Sequence, residues 1–157
     1  MSASVKVDLP ALRQYCLTLL ARRDYSEFEL SQKLSARGAS AEQINEVLSH
    51  VQAKGWQSDT RFVENYTQYR SNKGIGPRKL AYELRNRGID TTLIENAVDD
   101  TAWLEQAKLA RYKRFGVALP TNPSERAKQI RFLLQRGFTM QHIQTVLTES
   151  VEYEDDN

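Results

Sequence analysis

The chain has 157 residues, 40% hydrophobic and 27% charged, a composition that suits a folded protein and excludes a disordered one. No run approaches the roughly 18 apolar residues of a membrane span, and the opening MSASVKVDLP lacks the apolar stretch of a secretory signal. One cysteine, Cys16, and two histidines, His50 and His142, cannot supply an intrachain disulfide or a zinc finger; a cytoplasmic protein with no membrane contact is expected.

In chain order the elements read as helices. Leu12, Tyr15, Cys16, Leu19 and Leu20 fall on one helical face. Ser26 with Glu29 is a capping box that opens a second helix, with Leu30 and Leu34 on its buried side. Gly38 suits the left-handed position after it. Ser40 with Gln43 opens a third helix, striped by Ile44, Val47, Leu48 and Val51. Ser58 or Asp59 caps the next, which carries Phe62, Tyr66 and Tyr69. Pro77 fits the first position of the fifth, Gly88 ends it, and Asp90 caps the sixth. Thr101 is expected to cap a seventh helix running towards Phe115. After GVALPTNP, Asn122, Pro123 and Glu125 supply cap, first turn and third position of the eighth. Gly137 ends that helix and Thr139 caps the ninth.

These elements repeat. Three segments align on Arg37-Gly38, Arg87-Gly88 and Arg136-Gly137. Leu34, Leu84 and Leu133 stand four residues before each glycine, and Ile44, Ile94 and Ile143 six after it. Leu30 and Leu80 stand eight before. Gln129 holds that place in the third segment, which raises the expectation of a shifted register there. The fold class is therefore all-α, about nine short helices in tandem three-helix repeats, and such marginal repeats are expected to build an elongated, curved body. The expected boundaries are an N-terminal extension at 1–9, repeats at 10–55, 56–100 and 101–150, and an acidic tail at 151–157.

Charge is uneven. Residues 61–87 carry seven bases against Glu64 and Glu83, and residues 108–136 carry eight against Glu125. The bases lie on the first and second helices of repeats two and three. The third helices, which a helix-turn-helix reader would insert in the major groove, contain no Lys or Arg. That pattern favours a broad contact with phosphates or an acidic protein over base reading. The expected contact residues are Arg70, Lys73, Arg78, Lys79, Arg85 and Arg87, with Arg111, Lys113, Arg114, Arg126, Lys128 and Arg131. Arg37, Arg87 and Arg136 sit in last turns, where dipole complementation and partner contact weigh equally. Trp56 and Trp103 are read as packing residues, Tyr82 and Tyr112 as the aromatics to expect at the surface. His50 and His142 are read as structural, and Cys16 as a small core residue. No phosphate-cradling motif, metal set or nucleophile constellation is present, so no catalytic, metal or cofactor site is expected, and the chain is read as a non-enzyme.

The stretches YSEFELSQKLSARG, GWQSDTRFVENYTQYRSNKGIGPRKLAYELRNRGID and RAKQIRFLLQRGF resemble the RecX regulatory proteins over about residues 10–150. Trp56, Asp59, Phe62, Arg70, Gly74, Leu80, Leu84 and Gly88 stand where that family's pattern expects them; Gln129 and the acidic tail depart from it. The resemblance implies a non-enzymatic modulator of the RecA recombinase; the tandem repeats themselves are expected to form a monomer. Such a protein lies along the groove of the RecA filament on single-stranded DNA, restrains ATP hydrolysis and strand exchange, and limits recombination and the SOS response. Double-stranded DNA is a further expected phosphate partner. The alternatives are a helical-repeat protein that binds nucleic acid directly, and a protein adapter with no recombinase partner.

Overall fold

The computed structural model describes residues 7–99 and 102–148; the proposed cap Thr101 and the acidic tail lie outside them, as does most of the N-terminal extension. Among the described residues there are nine helices and no strand. They are α1 (Leu9–Arg22), α2 (Glu27–Ala36), α3 (Ala41–Ala53), α4 (Asp59–Asn72), α5 (Pro77–Asn86), α6 (Thr91–Val98), α7 (Trp103–Phe115), α8 (Pro123–Arg136) and α9 (Met140–Thr148). Packing divides the chain into two compact units, 1–65 with 84–93 and 66–83 with 94–157.

In the first unit α1, α2 and α3 pack on one another. The stripes read from the sequence meet in a core of Leu12, Cys16, Leu19, Leu30, Leu34, Val47, Leu48 and Val51, with Tyr25 from the turn before α2. Both capping boxes form: Ser26 Oγ accepts from the Glu29 amide, and Ser40 Oγ from the Gln43 amide. Ser58 caps α4 by accepting from the Arg61 amide at 3.2 Å. Asp59 is used elsewhere. Its Oδ1 accepts from the amide of Glu27 at 2.8 Å, so it serves the open first turn of α2.

In the second unit α7, α8 and α9 pack together around Trp103, Ala107, Leu133, Phe138, Ile143, Val146 and Leu147. Asn122 Oδ1 accepts from the Glu125 amide at 2.8 Å, with Pro123 at the first position of α8. Thr139 Oγ1 accepts from His142. Ala102 holds the cap position of α7 and offers no side-chain bond.

The repeated Leu-to-Gly spacing has a single cause. Each second helix ends in a turn where the amide after the glycine reaches back to the leucine carbonyl: Ala39 to Leu34, Ile89 to Leu84, Phe138 to Leu133, at 3.1 to 3.2 Å. The carbonyls of the last two arginines then receive a donor from the start of the second helix of the preceding repeat. Ser26 Oγ donates to Arg87 O at 2.7 Å within the first unit. The Gly76 amide donates to Arg136 O at 2.7 Å within the second. Ser26 and Gly76 are equivalent, each four residues before the matched Leu30 or Leu80. The backbones come close enough that a Cβ on Gly76 would lie 2.6 Å from the Gly137 carbonyl carbon.

The third repeat keeps its register. Gln129 is buried where Leu30 and Leu80 are buried, and its polarity is answered by Arg111, whose Nη1 donates to Gln129 Oε1 at 3.3 Å. Trp103 is buried as expected, but Trp56 is 43% exposed and meets His50 edge-on at 5.8 Å. Tyr82 is 61% exposed as expected, Tyr112 is half-buried, and Tyr69 and Phe28 are also exposed.

Candidate functional site

The second compact unit holds a cleft of about 360 Å³. The turn after α4 supplies Lys73 and Gly74, α7 supplies Leu109, Ala110, Lys113 and Arg114, and α8 supplies Phe132 and Arg136. Each contribution follows from local structure. Gln106, Leu109, Ala110, Lys113 and Arg114 follow the three-and-four spacing of one helical face. Phe132 and Arg136 are one turn apart on α8, and the Arg136 guanidinium lies over the Phe132 ring at 5.1 Å. Arg136 also ties the wall together, because its Nη1 donates to Lys73 O at 3.1 Å, a carbonyl at the end of α4. Phe115 meets Phe132 edge-on at 5.3 Å and holds the ring.

The lining carries four bases, Lys73, Lys113, Arg114 and Arg136, and no carboxylate. Among the described residues no ion pair engages any of the four. Neighbouring bases differ. Arg70 Nη2 lies 2.7 Å from Glu83 Oε1; burial works against its charge, but the Glu83 hydrogen bond and charge hold the guanidinium above its ordinary value. Lys108 Nζ lies 3.4 Å from Glu105. Among the described residues of this unit, Glu83 and Glu105 therefore pair with bases outside the cleft, and no ion pair reaches those inside it.

Of the twelve bases expected at a contact surface, the cleft brings together Lys73, Lys113 and Arg114. Arg78 and Lys79 are exposed at the start of α5 in the same unit, where the Arg78 amide donates to Gly137 O at 2.9 Å. Lys128 and Arg131 are exposed and Arg126 half-buried on α8, outside the lining. Arg85, exposed, and Arg87, half-buried, belong to the first unit. Arg111 departs from the surface reading. It is 3% exposed, and its guanidinium donates to the carbonyls of Gly116, Val117 and Ala118 and to Gln129. It clamps the turn after α7. Counting charge along the sequence could not separate it from Lys113 and Arg114, which line the cleft. Arg136 and Phe132 are the residues the contact set omitted; their one-turn spacing beside the α7 face was the available signal.

No helix among the described residues is long and apolar enough to cross a membrane. No group of three or more potential metal ligands occurs among them.

Residues 13–50, 58–98 and 100–147 match, in order, the models described as RecX first, second and third three-helix domains. The Regulatory protein RecX of Pseudomonas putida (strain W619) is 37% identical over 148 residues, covering 92% of this chain and 95% of its own. The chain belongs to the RecX family. The Regulatory protein RecX of Legionella pneumophila (strain Corby) is 42% identical over 135 residues, covering 85% and 90%. The crystal structure of RecX from Lactobacillus salivarius shares the fold, with a TM-score of 0.76 at 20% identity over 88% of this chain and 94% of that one. The three-helix repeat that organises the sequence is thus the RecX domain, and the family members named here are regulatory proteins.

Proposed function

We propose that this RecX-family chain is a non-enzymatic regulator that binds the RecA filament on single-stranded DNA and restrains its ATP hydrolysis and strand exchange. The observation that carries the reading is the set of uncompensated bases in the second compact unit, in a chain whose relatives are named regulatory proteins. A filament offers a continuous row of phosphates, and cations with no ion pair among the described residues have none there to break when they turn to it. Arg78 and Lys79 on α5 add to this charge.

The test is recombinase ATPase on single-stranded DNA, titrated with the full chain. Wild type should lower the rate, less so as salt rises. Replacing Arg78, Lys79 and Arg85 together by Glu should relieve inhibition, with helicity retained because Leu80 and Leu84 carry the buried side of α5. Replacing Glu42 and Glu46 by Gln is the control and should change little. Full inhibition by the folded triple variant across a salt series would remove α5 from the contact. No effect of wild type on the filament, with binding to bare nucleic acid retained, would select the direct nucleic-acid reading.

A further inference from the structure

The cleft of the second unit does more than add positive charge to a surface. Four like charges around one small space repel one another, and no ion pair among the described residues engages them. The same helices show that offsetting was within reach, since Arg70 and Lys108 each have a carboxylate. Such an arrangement suits an anionic ligand.

Size and lining narrow the anion. A space of about 360 Å³ is in the range of small-ligand sites and is more than an isolated phosphate fills. Its walls are of two kinds. Lys73, Lys113 and Arg114 present flexible or forked donors. Leu109 and the Phe132 ring present apolar surface, and that ring is held by Phe115 and Arg136. A ligand matching both walls carries a flat apolar group next to a phosphate. Unpaired nucleotides fit this description, because their bases are free to leave the strand axis and stack on an aromatic or guanidinium face. A duplex keeps its bases stacked inside and could set only its backbone across the mouth.

We propose that this cleft is a single-nucleotide site for an unpaired DNA strand, with the phosphate on Lys73, Lys113 and Arg114 and the base against Phe132. The proposal deepens the filament reading and rests on it for the source of the strand; the cleft chemistry stands without the recombinase.

The experiment measures binding of the full chain to a fluorescent oligothymidylate, to an abasic strand of the same length, and to a duplex. Wild type should prefer the base-bearing strand to the abasic one by about tenfold, the scale of one stacked base, and should bind the duplex more weakly than the strand. Phe132→Leu should erase the preference for the base-bearing strand, while Phe132→Tyr should keep it. Lys113→Gln with Arg114→Gln should weaken both strands and lower the salt slope by about 2, one per lost phosphate contact. Circular dichroism establishes that each variant is folded, and Phe132→Tyr keeps the test decisive if the leucine variant is not. Equal binding of base-bearing and abasic strands by wild type would overturn the proposal. So would an intact preference in folded Phe132→Leu, or duplex binding as tight as the strand. Failure of the filament reading looks different: ATPase is unaffected by wild type while the preference for the base-bearing strand persists.

Discussion

Arg111 and Gln129 form a buried polar pair, 3.3 Å apart, at a position where the other two repeats place leucine. The pair lets one guanidinium hold the turn after α7 from inside the unit, at the carbonyls of Gly116, Val117 and Ala118. Gln129→Leu would copy the other repeats and yet leave part of a buried guanidinium without its acceptor. A loss of about 1–3 kcal/mol is expected from urea unfolding. Arg111→Leu alone should cost more, because the carbonyls of Gly116, Val117 and Ala118 lose their donor. The double variant should cost less than the sum of the two single losses, a coupling energy of about 0.5–3 kcal/mol in a double-mutant cycle. Wild-type stability in the single Gln129→Leu variant would show that the pair does not hold the turn.

Gly88 and Gly137 should be far less replaceable than Gly55, although all three have positive φ. A Cβ on Gly88 would overlap the Phe28 side chain, and one on Gly137 would overlap Lys79 and lie 2.6 Å from its amide nitrogen. Nothing lies within 4 Å at Gly55. Gly55→Ala should therefore cost about 1–2 kcal/mol, the left-handed backbone alone. Gly88→Ala and Gly137→Ala should add an overpacking cost of about 1–3 kcal/mol. Denaturant midpoints of the three variants give the comparison, and equal losses would mean that the close approach is relieved without consequence.

Helix positions, caps and the repeat were legible because they depend on local spacing. Ser26 with Glu29, Asn122 with Pro123, and the leucine before each Arg-Gly turn act within a few residues of themselves. What escaped was decided between elements. Asp59 looks like the cap of its own helix until α2 is seen beside it. Arg111 looks like its neighbours Lys113 and Arg114 until the turn folds over it. Arg136 was visible as one member of a repeated pair, but its place in the cleft depends on where α4 ends. Charge counts find a basic region; they do not divide its cations into clamps, ion pairs and open groups.

Cys16 provides a pH prediction in the first unit. The side chain is fully buried, and loss of solvation pushes its thiol up from 9.0 to about 11. The folded state thus holds the proton more tightly than the unfolded chain. The corresponding stability is present below pH 9 and is lost as the pH rises towards 11. Cys16→Ala should flatten that part of the profile, so the wild-type-minus-variant difference in unfolding free energy should shrink across the window. In the native state the thiol should react with a disulfide reagent only at the rate of opening. Fast labelling at neutral pH, or a difference that is constant through the window, would contradict this.

Asp59 links three elements of the first unit through one oxygen. Its Oδ1 accepts from the Glu27 amide at 2.8 Å and from Gln57 Nε2 at 2.9 Å. Gln57 is itself buried, donates to Tyr25 O at 3.2 Å and accepts from Gln52 at 2.9 Å. The carboxylate also places negative charge at the open end of α2, where the helix dipole favours it. Asp59→Asn keeps an acceptor oxygen and removes the charge, so a loss of about 0.3–1 kcal/mol is expected. Asp59→Ala removes the acceptor of the Glu27 amide and of one N–H of the buried Gln57 amide, so a further loss of about 1–3 kcal/mol should follow. Hydrogen exchange at the Glu27 amide should quicken in the alanine variant by more than in the asparagine variant, ahead of any change in the core of α1. If the two variants are equally stable and protect Glu27 equally, the oxygen does not join these elements and Gln57 holds the junction through Tyr25 and Gln52 alone.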